Sequence, residues 1–199
     1  MRSALSRATW LDPWRLPLFL LSRLSQATGH RLPCKLPRHA KAILAKELFP
    51  PEFFASLFKF TFVRNPWDLQ VSSYHHLLRE RAHLVAPHKD FKAFLEYKLD
   101  PARPPQYHLD VSSTPQVECL MDFDGKLLVD FVGRYERLQE DFSFVCAKVG
   151  LKAIPLPEKR RAKDRASYQG YYDDESARWV AERYARDIEV FGYTFDNQG

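Results

Sequence analysis

The sequence predicts an α/β protein with a mostly parallel sheet flanked by helices, on three observations. The stretch FKFTFV alternates Phe58, Phe60 and Phe62 with Lys59 and Thr61, which is the period of a strand. NPWDLQVSSYHHLL follows at once, with apolar residues recurring at helical spacing. The same succession returns in KLLVDFVGRYERL and EDFSFVCAKVG. Strands alternating with helices in chain order build parallel sheets, because a parallel pair needs a crossover connection.

The elements follow in order. Residues 1–35 are basic, apolar and broken by proline, and only a short helix over 18–26 is expected there. The domain proper is expected over 36–199. PRHAKAILAKELFPPEFFASL reads as a helix over 40–48, halted by Pro50 and Pro51 and followed by a helical turn. Asn65 is a good N-cap for the next helix, and Pro66 takes its first position, where a missing N–H costs nothing. Trp67, Val71, Tyr74 and Leu78 are expected to face the core. DPARPPQYHLD is an irregular excursion. The second strand is read through Leu127, Leu128, Val129, Phe131 and Val132. Its helix carries Phe142, Val145 and Val149 on one side, with Gly150 as its stop. After the acidic cap Asp173-Asp174, one helix is expected through Ala177, Val180, Tyr184 and Ile188. Phe191, Tyr193 and Phe195 then close the chain as aromatic packing.

Composition bounds the function. With 45% hydrophobic and 14% aromatic residues, a chain of 199 can bury a core of its own. The formal charge of +5 fits an anionic ligand, although a solvated basic surface accounts for charge alone. Cys34, Cys119 and Cys146 are odd in number and lack metal-like spacing. Neither a disulfide framework nor a zinc site is indicated, and a reducing compartment is expected. The apolar run at 16–21 is too short to span a bilayer. Pro13, Trp14, Arg15 and Pro17 interrupt what would otherwise mimic a signal peptide, so a soluble protein is expected.

One corner carries chemistry. Arg64 stands at the carboxyl end of the first strand, where open α/β sheets bind ligands. Asn65, Asp68, Ser72 and His76 fall on one polar stripe of the helix that follows, and Ser73 lies off it. An anion there could meet the Arg64 guanidinium, the first-turn N–H groups and the Ser72 hydroxyl. An ordinary solvated helix face would give the same stripe but leaves the arginine unexplained.

FKFTFVRNPWDLQVSSYHHL resembles the 3′-phosphate-binding segment of sulfotransferases that use 3′-phosphoadenosine-5′-phosphosulfate (PAPS), most closely the family-2 branch with its carbohydrate-modifying enzymes. The likeness continues in LPRHAKA, in PQVECLMDFDGKLLVDFVGRYERLQEDF and in YYDDES…YARDIEVFGYTF, so it covers residues 36–196. It implies a P-loop-NTPase-like fold in which Arg64 and Ser72 hold the 3′-phosphate of the co-substrate. A histidine stands between the donor loop and that segment in some carbohydrate sulfotransferases. His39 takes that place here, as the base for an acceptor hydroxyl, ahead of His30, His75 and His76. In KRRAKDR, Arg160 and Arg165 would close over the nucleotide phosphates, and a solvated loop is the competing account of that segment. Glu136 is expected to be a structural partner of Arg134. The implied reaction needs PAPS, no metal and a carbohydrate-type acceptor, and no nucleic-acid partner is expected because no stacking aromatic is interleaved with the cations.

The chain departs from the family at its start. No glycine precedes Gly29, so the strand and the loop close to Pro-Lys-Thr-Gly-Gly-Thr-Ser that grip the 5′-phosphosulfate are absent. The expectation is a sheet short of its first strand and a true start upstream of Met1, with an inactive nucleotide-binding relative as the alternative. A basic nucleic-acid-binding domain is a distant third reading. Localisation is expected to be the cytoplasm of a bacterium, or the Golgi lumen if an anchor has been lost. Neither the acceptor nor the oligomeric state is legible.

Overall fold

A computed structural model describes residues 40–157 and 167–196. The readings placed on 1–39 and 158–166, among them the helix at 18–26, His39, Arg160 and Arg165, lie outside the described residues. The chain divides into two compact units, the first from residues up to 59 with 119–130, the second from 60–118 and 131 onward.

In the first unit, α1 (Ala42–Leu48) and α2 (Pro51–Ser56) are parted by the two prolines, with Pro51 at the first position of α2. Phe49 and Phe53 meet edge to face at 5.3 Å. The rest of the unit reverses direction: Met121 and Leu127 form an antiparallel bridge, and Leu128 N–H donates to the Leu120 carbonyl. Asp122 closes the reversal, its Oδ1 accepting from the Asp124 and Lys126 N–H groups at 3.0 and 2.9 Å. Gly125 supplies the left-handed φ of 80° that the turn requires. Leu127 and Leu128 therefore do not belong to the second parallel strand. The Asp-Gly dipeptide at 124–125, a strong turn signal, precedes the apolar run and folds its first residues, Leu127 and Leu128, back against Met121 and Leu120.

In the second unit, β1 (Phe60–Val63) and β2 (Phe131–Arg134) pair in parallel, from Phe60 against Phe131 to Val63 against Arg134. Around them stand α3 (Pro66–Glu80), α4 (Phe91–Leu99), α5 (Tyr107–Ser113), α6 (Leu138–Lys148), α7 (Asp174–Arg183) and α8 (Ala185–Phe191). The fold is α/β, with a two-stranded parallel sheet and eight helices among the described residues. None of those helices is long and apolar enough to cross a membrane.

The core joins α3, α4 and α7 through Trp67, Val71, Phe91, Leu95, Val180 and Tyr184. Phe195 stands edge-on to Trp67 at 5.6 Å, and Phe191 and Tyr193 are buried. Leu77, not Leu78, turns inward on α3, against Val85, Phe94 and Leu109, while Leu78 is exposed. On α6, Val145 is buried but Val149 lies beyond the helix end and is exposed. The expected single terminal helix is two, broken at Tyr184 (φ −110°, ψ 24°). That residue is fully buried and its hydroxyl accepts from Gln70 Nε2 at 2.9 Å, so a tertiary contact overrides helical propensity there.

Gly133 is the residue of β2 paired with Phe62, and a Cβ there would lie 2.6 Å from the Phe62 ring and 3.1 Å from Asp141 Cβ. Gly133→Ala is expected to destabilise the protein by about 1–3 kcal/mol, the usual cost of overpacking. Urea unfolding checks this, and an unchanged midpoint would show that the Phe62 ring simply steps aside.

Candidate functional site

The corner between β1 and α3 is built from side chains. Pro66 has no N–H, the Trp67 N–H is capped by Asn65 Oδ1 at 3.1 Å, and the Asn65 N–H donates to Glu136 Oε1 at 2.6 Å. Of the amides expected to help bind an anion, that of Trp67 is thus occupied by the cap, and the Asn65 N–H is held by Glu136. Asn65 itself is buried, donating through Nδ2 to the Thr194 carbonyl at 3.0 Å and to the Tyr168 hydroxyl at 3.3 Å. It braces the corner and does not share the open stripe.

Arg64 projects from the strand end onto α3. Its Nε donates to Asp68 Oδ2, and its Nη1 donates to Ser72 Oγ at 2.8 Å. The guanidinium carbon lies 4.0 Å from the centre of the Tyr135 ring, which stays 47% exposed in the turn after β2. Burial pulls the Arg64 pKa below its ordinary value, opposed by Tyr135, Glu136 and Tyr193. Among the described residues neither Arg64 Nη2 nor the Ser72 hydroxyl proton has a hydrogen-bond partner. Both can therefore donate to an anion. Asp68 fixes the fork through Nε and leaves the Nη edge turned toward Ser72.

Ser72 and Ser73 part company. The Ser73 hydroxyl accepts from Lys98 Nζ at 3.0 Å, on the flank of α3 that packs against α4. Ser72→Ala should therefore weaken anion binding by about tenfold or more, since hydrogen bonds to charged groups are worth roughly 1.5–3 kcal/mol. Ser73→Ala should lower stability and leave anion affinity nearly unchanged. Titration calorimetry beside thermal unfolding separates the two, and equal losses of affinity would contradict this assignment.

The remaining candidate residues are distributed differently. His75 Nε2 lies 2.8 Å from the Tyr171 hydroxyl, and burial pulls its pKa down. His76 is exposed, with Nδ1 3.4 Å from Arg79. Glu136 is not the partner of Arg134: it joins the Asn65 N–H to the Tyr193 hydroxyl, the latter at 3.1 Å. Arg134 instead donates to the Phe191 carbonyl and lies over the Tyr193 ring at 4.8 Å. No cluster among the described residues could hold a metal ion. An open cleft of 960 Å³ is lined by Lys98, Arg103, Asp110, Trp179 and Arg183 among others, and by neither Arg64 nor Ser72.

Two residues of the corner, Tyr135 and Gln116, carry no sign of their role in the sequence. Tyr135 stands in GRYE, where its charged neighbours are the more conspicuous. Gln116, in the loop before the Asp-Gly hairpin, gives no local signal, because its partner Arg64 lies 52 residues away.

A model of the Sulfotransferase family (Sulfotransfer_2) matches residues 39–194. Neither a curated protein nor a solved structure matches the chain.

Proposed function

This chain belongs to the Sulfotransferase family, and from that membership we propose that it moves a sulfuryl group from PAPS to a hydroxyl of a carbohydrate-type acceptor. The observation that supports the donor is the Arg64–Ser72 pair, 2.8 Å apart across a strand-to-helix corner, with Nη2 and a hydroxyl proton still to give. A phosphate with about two negative charges suits that edge. It would also repay the desolvation that depresses the Arg64 pKa. The 3′-phosphate distinguishes PAPS from ATP, so Arg64 and Ser72 would supply donor selectivity as well as affinity.

In the reaction the acceptor oxygen attacks sulfur, the bond from sulfur to the 5′-phosphate breaks, and adenosine 3′,5′-bisphosphate leaves with the electron pair. The acceptor proton passes to a base, for which His39 is the residue proposed. Arg160 and Arg165 are proposed to neutralise the phosphates. Rate would come from positioning and charge neutralisation of an in-line arrangement. A P-loop-NTPase-like arrangement of the sheet belongs to the same reading.

Transfer of radiolabelled sulfate from PAPS to a panel of glycans tests this. Labelled glycan that is lost with Arg64→Ala is expected. Tight binding of adenosine 3′,5′-bisphosphate without any labelled product would make the chain a binding protein instead of an enzyme.

A further inference from the structure

We infer that Gln116 is a positioning residue for Arg64, holding the peptide of the strand-end arginine from both sides so that its guanidinium meets the 3′-phosphate. The inference rests on the 3′-phosphate reading above.

The geometry is specific. The Arg64 N–H donates to Gln116 Oε1 at 2.9 Å, and Gln116 Nε2 donates to the Arg64 carbonyl at 2.8 Å. One primary amide thereby satisfies both polar groups of a single residue. Val63 against Arg134 is the last rung of the parallel pair, so Arg64 has already left the ladder. Gln116 replaces the missing strand at the residue whose side chain carries the charge.

Gln116 is in turn held by α8. Its own N–H donates to Asp187 Oδ2 at 2.8 Å, and the Val117 N–H donates to Asp187 Oδ1, also at 2.8 Å. Asp187 is fully buried, and burial raises its pKa against the pull of those two backbone donors. A buried carboxylate with both oxygens occupied by consecutive amides fixes the loop at 116–117. The side chain that grips Arg64 is anchored at its own root.

On the far side of the corner Glu136 takes the Asn65 N–H. The main chain at 64–65 is thus held by residues from two distant segments, the first of them anchored by Asp187, and none of those contacts touches the guanidinium. This is why Gln116 acts on position and not on charge. A rotation of about 10° at the Arg64 peptide moves a guanidinium roughly 6 Å away by about 1 Å, and a misplacement of that size can cost about 100-fold.

The test is a double-mutant cycle read by titration calorimetry with adenosine 3′,5′-bisphosphate and adenosine 5′-monophosphate. Gln116→Met keeps the volume and removes both hydrogen bonds. It is expected to lower affinity for the bisphosphate by about tenfold and for the monophosphate by less than about twofold. In an Arg64→Ala background the same change should cost nothing further, because Gln116 acts through Arg64. Equal losses for both nucleotides, or the full loss persisting without Arg64, would make Gln116 merely structural and overturn the inference. If Arg64→Ala binds the bisphosphate as the parent does, the 3′-phosphate reading falls and carries this one with it. If Arg64→Ala loses affinity while Gln116→Met does not, only this inference falls. Should Gln116→Met fail to fold, Gln116→Glu keeps the acceptor for the Arg64 N–H and enters the same cycle.

Discussion

Arg64→Ala is expected to reduce affinity for adenosine 3′,5′-bisphosphate by about 100-fold or more, with the fold intact. Two charge-assisted contacts are lost with the side chain, each worth roughly 1.5–3 kcal/mol. A second effect adds to the first. Asp68, whose side chain is 13% exposed, keeps its carboxylate but loses the cation that faces it. It would then repel the phosphate. Arg64→Ala with Asp68→Asn should recover part of the loss, and Arg64→Lys should fall between, since an ammonium cannot bridge Asp68 and Ser72 as the fork does. Affinity for adenosine 5′-monophosphate is the control and should change little. An unaltered bisphosphate affinity in Arg64→Ala would remove the corner from the binding site.

The second large effect concerns Lys98. Its side chain is buried between α4 and α3, with Nζ 2.7 Å from Gln70 Oε1 and 3.0 Å from Ser73 Oγ. Both of those partners are neutral. Burial, reinforced by the nearby Arg103, pushes the Lys98 pKa down to about 7 from an ordinary 10.5. The unfolded chain therefore binds this proton up to about pH 10.5 while the native state releases it near 7. Between those values the unfolded state holds more protons, so stability rises with pH, at no more than about 1.4 kcal/mol per pH unit. Below pH 7 the full cost of a buried charge is present. Tyr74, Tyr168, Tyr184 and Tyr193, all raised by burial, act the other way once unfolded tyrosines ionise near pH 10. Urea midpoints should climb from pH 7 to about 9.5 in the parent, and Lys98→Met should flatten the climb. A parent whose stability falls over that interval would show that Lys98 keeps its proton.

Much of the geometry of the candidate corner was legible because its signals are local. Arg64, Asn65, Pro66 and Ser72 lie within nine consecutive residues, and a strand period giving way to a capped helix fixes how they face. What could not be read is what comes from far along the chain. Gln116 and Asp187 reach the corner through contacts spanning 52 and 71 residues, and nothing in their own neighbourhoods marks them. The Asn65 and Trp67 amides look available in the sequence, yet Glu136 and the Asn65 cap occupy them. The break at Tyr184 has the same origin, since a hydroxyl bonded to Gln70 leaves no trace in helical periodicity. The antiparallel return at Met121–Leu127 is a different kind of error. Its Asp-Gly turn is in plain view, and the turn outranks the apolar run beyond it.

Whether the Arg64–Ser72 corner receives the 3′-phosphate of the sulfuryl donor is decided by a crystal structure with adenosine 3′,5′-bisphosphate bound. The 3′-phosphate oxygens are expected within about 3 Å of an Arg64 Nη nitrogen and of Ser72 Oγ, with Arg64 Nε still on Asp68 and Gln116 still on the Arg64 peptide. A nucleotide whose 3′-phosphate lies elsewhere, with the Arg64–Ser72 hydrogen bond undisturbed and no phosphate oxygen against it, would rule the corner out as the donor site.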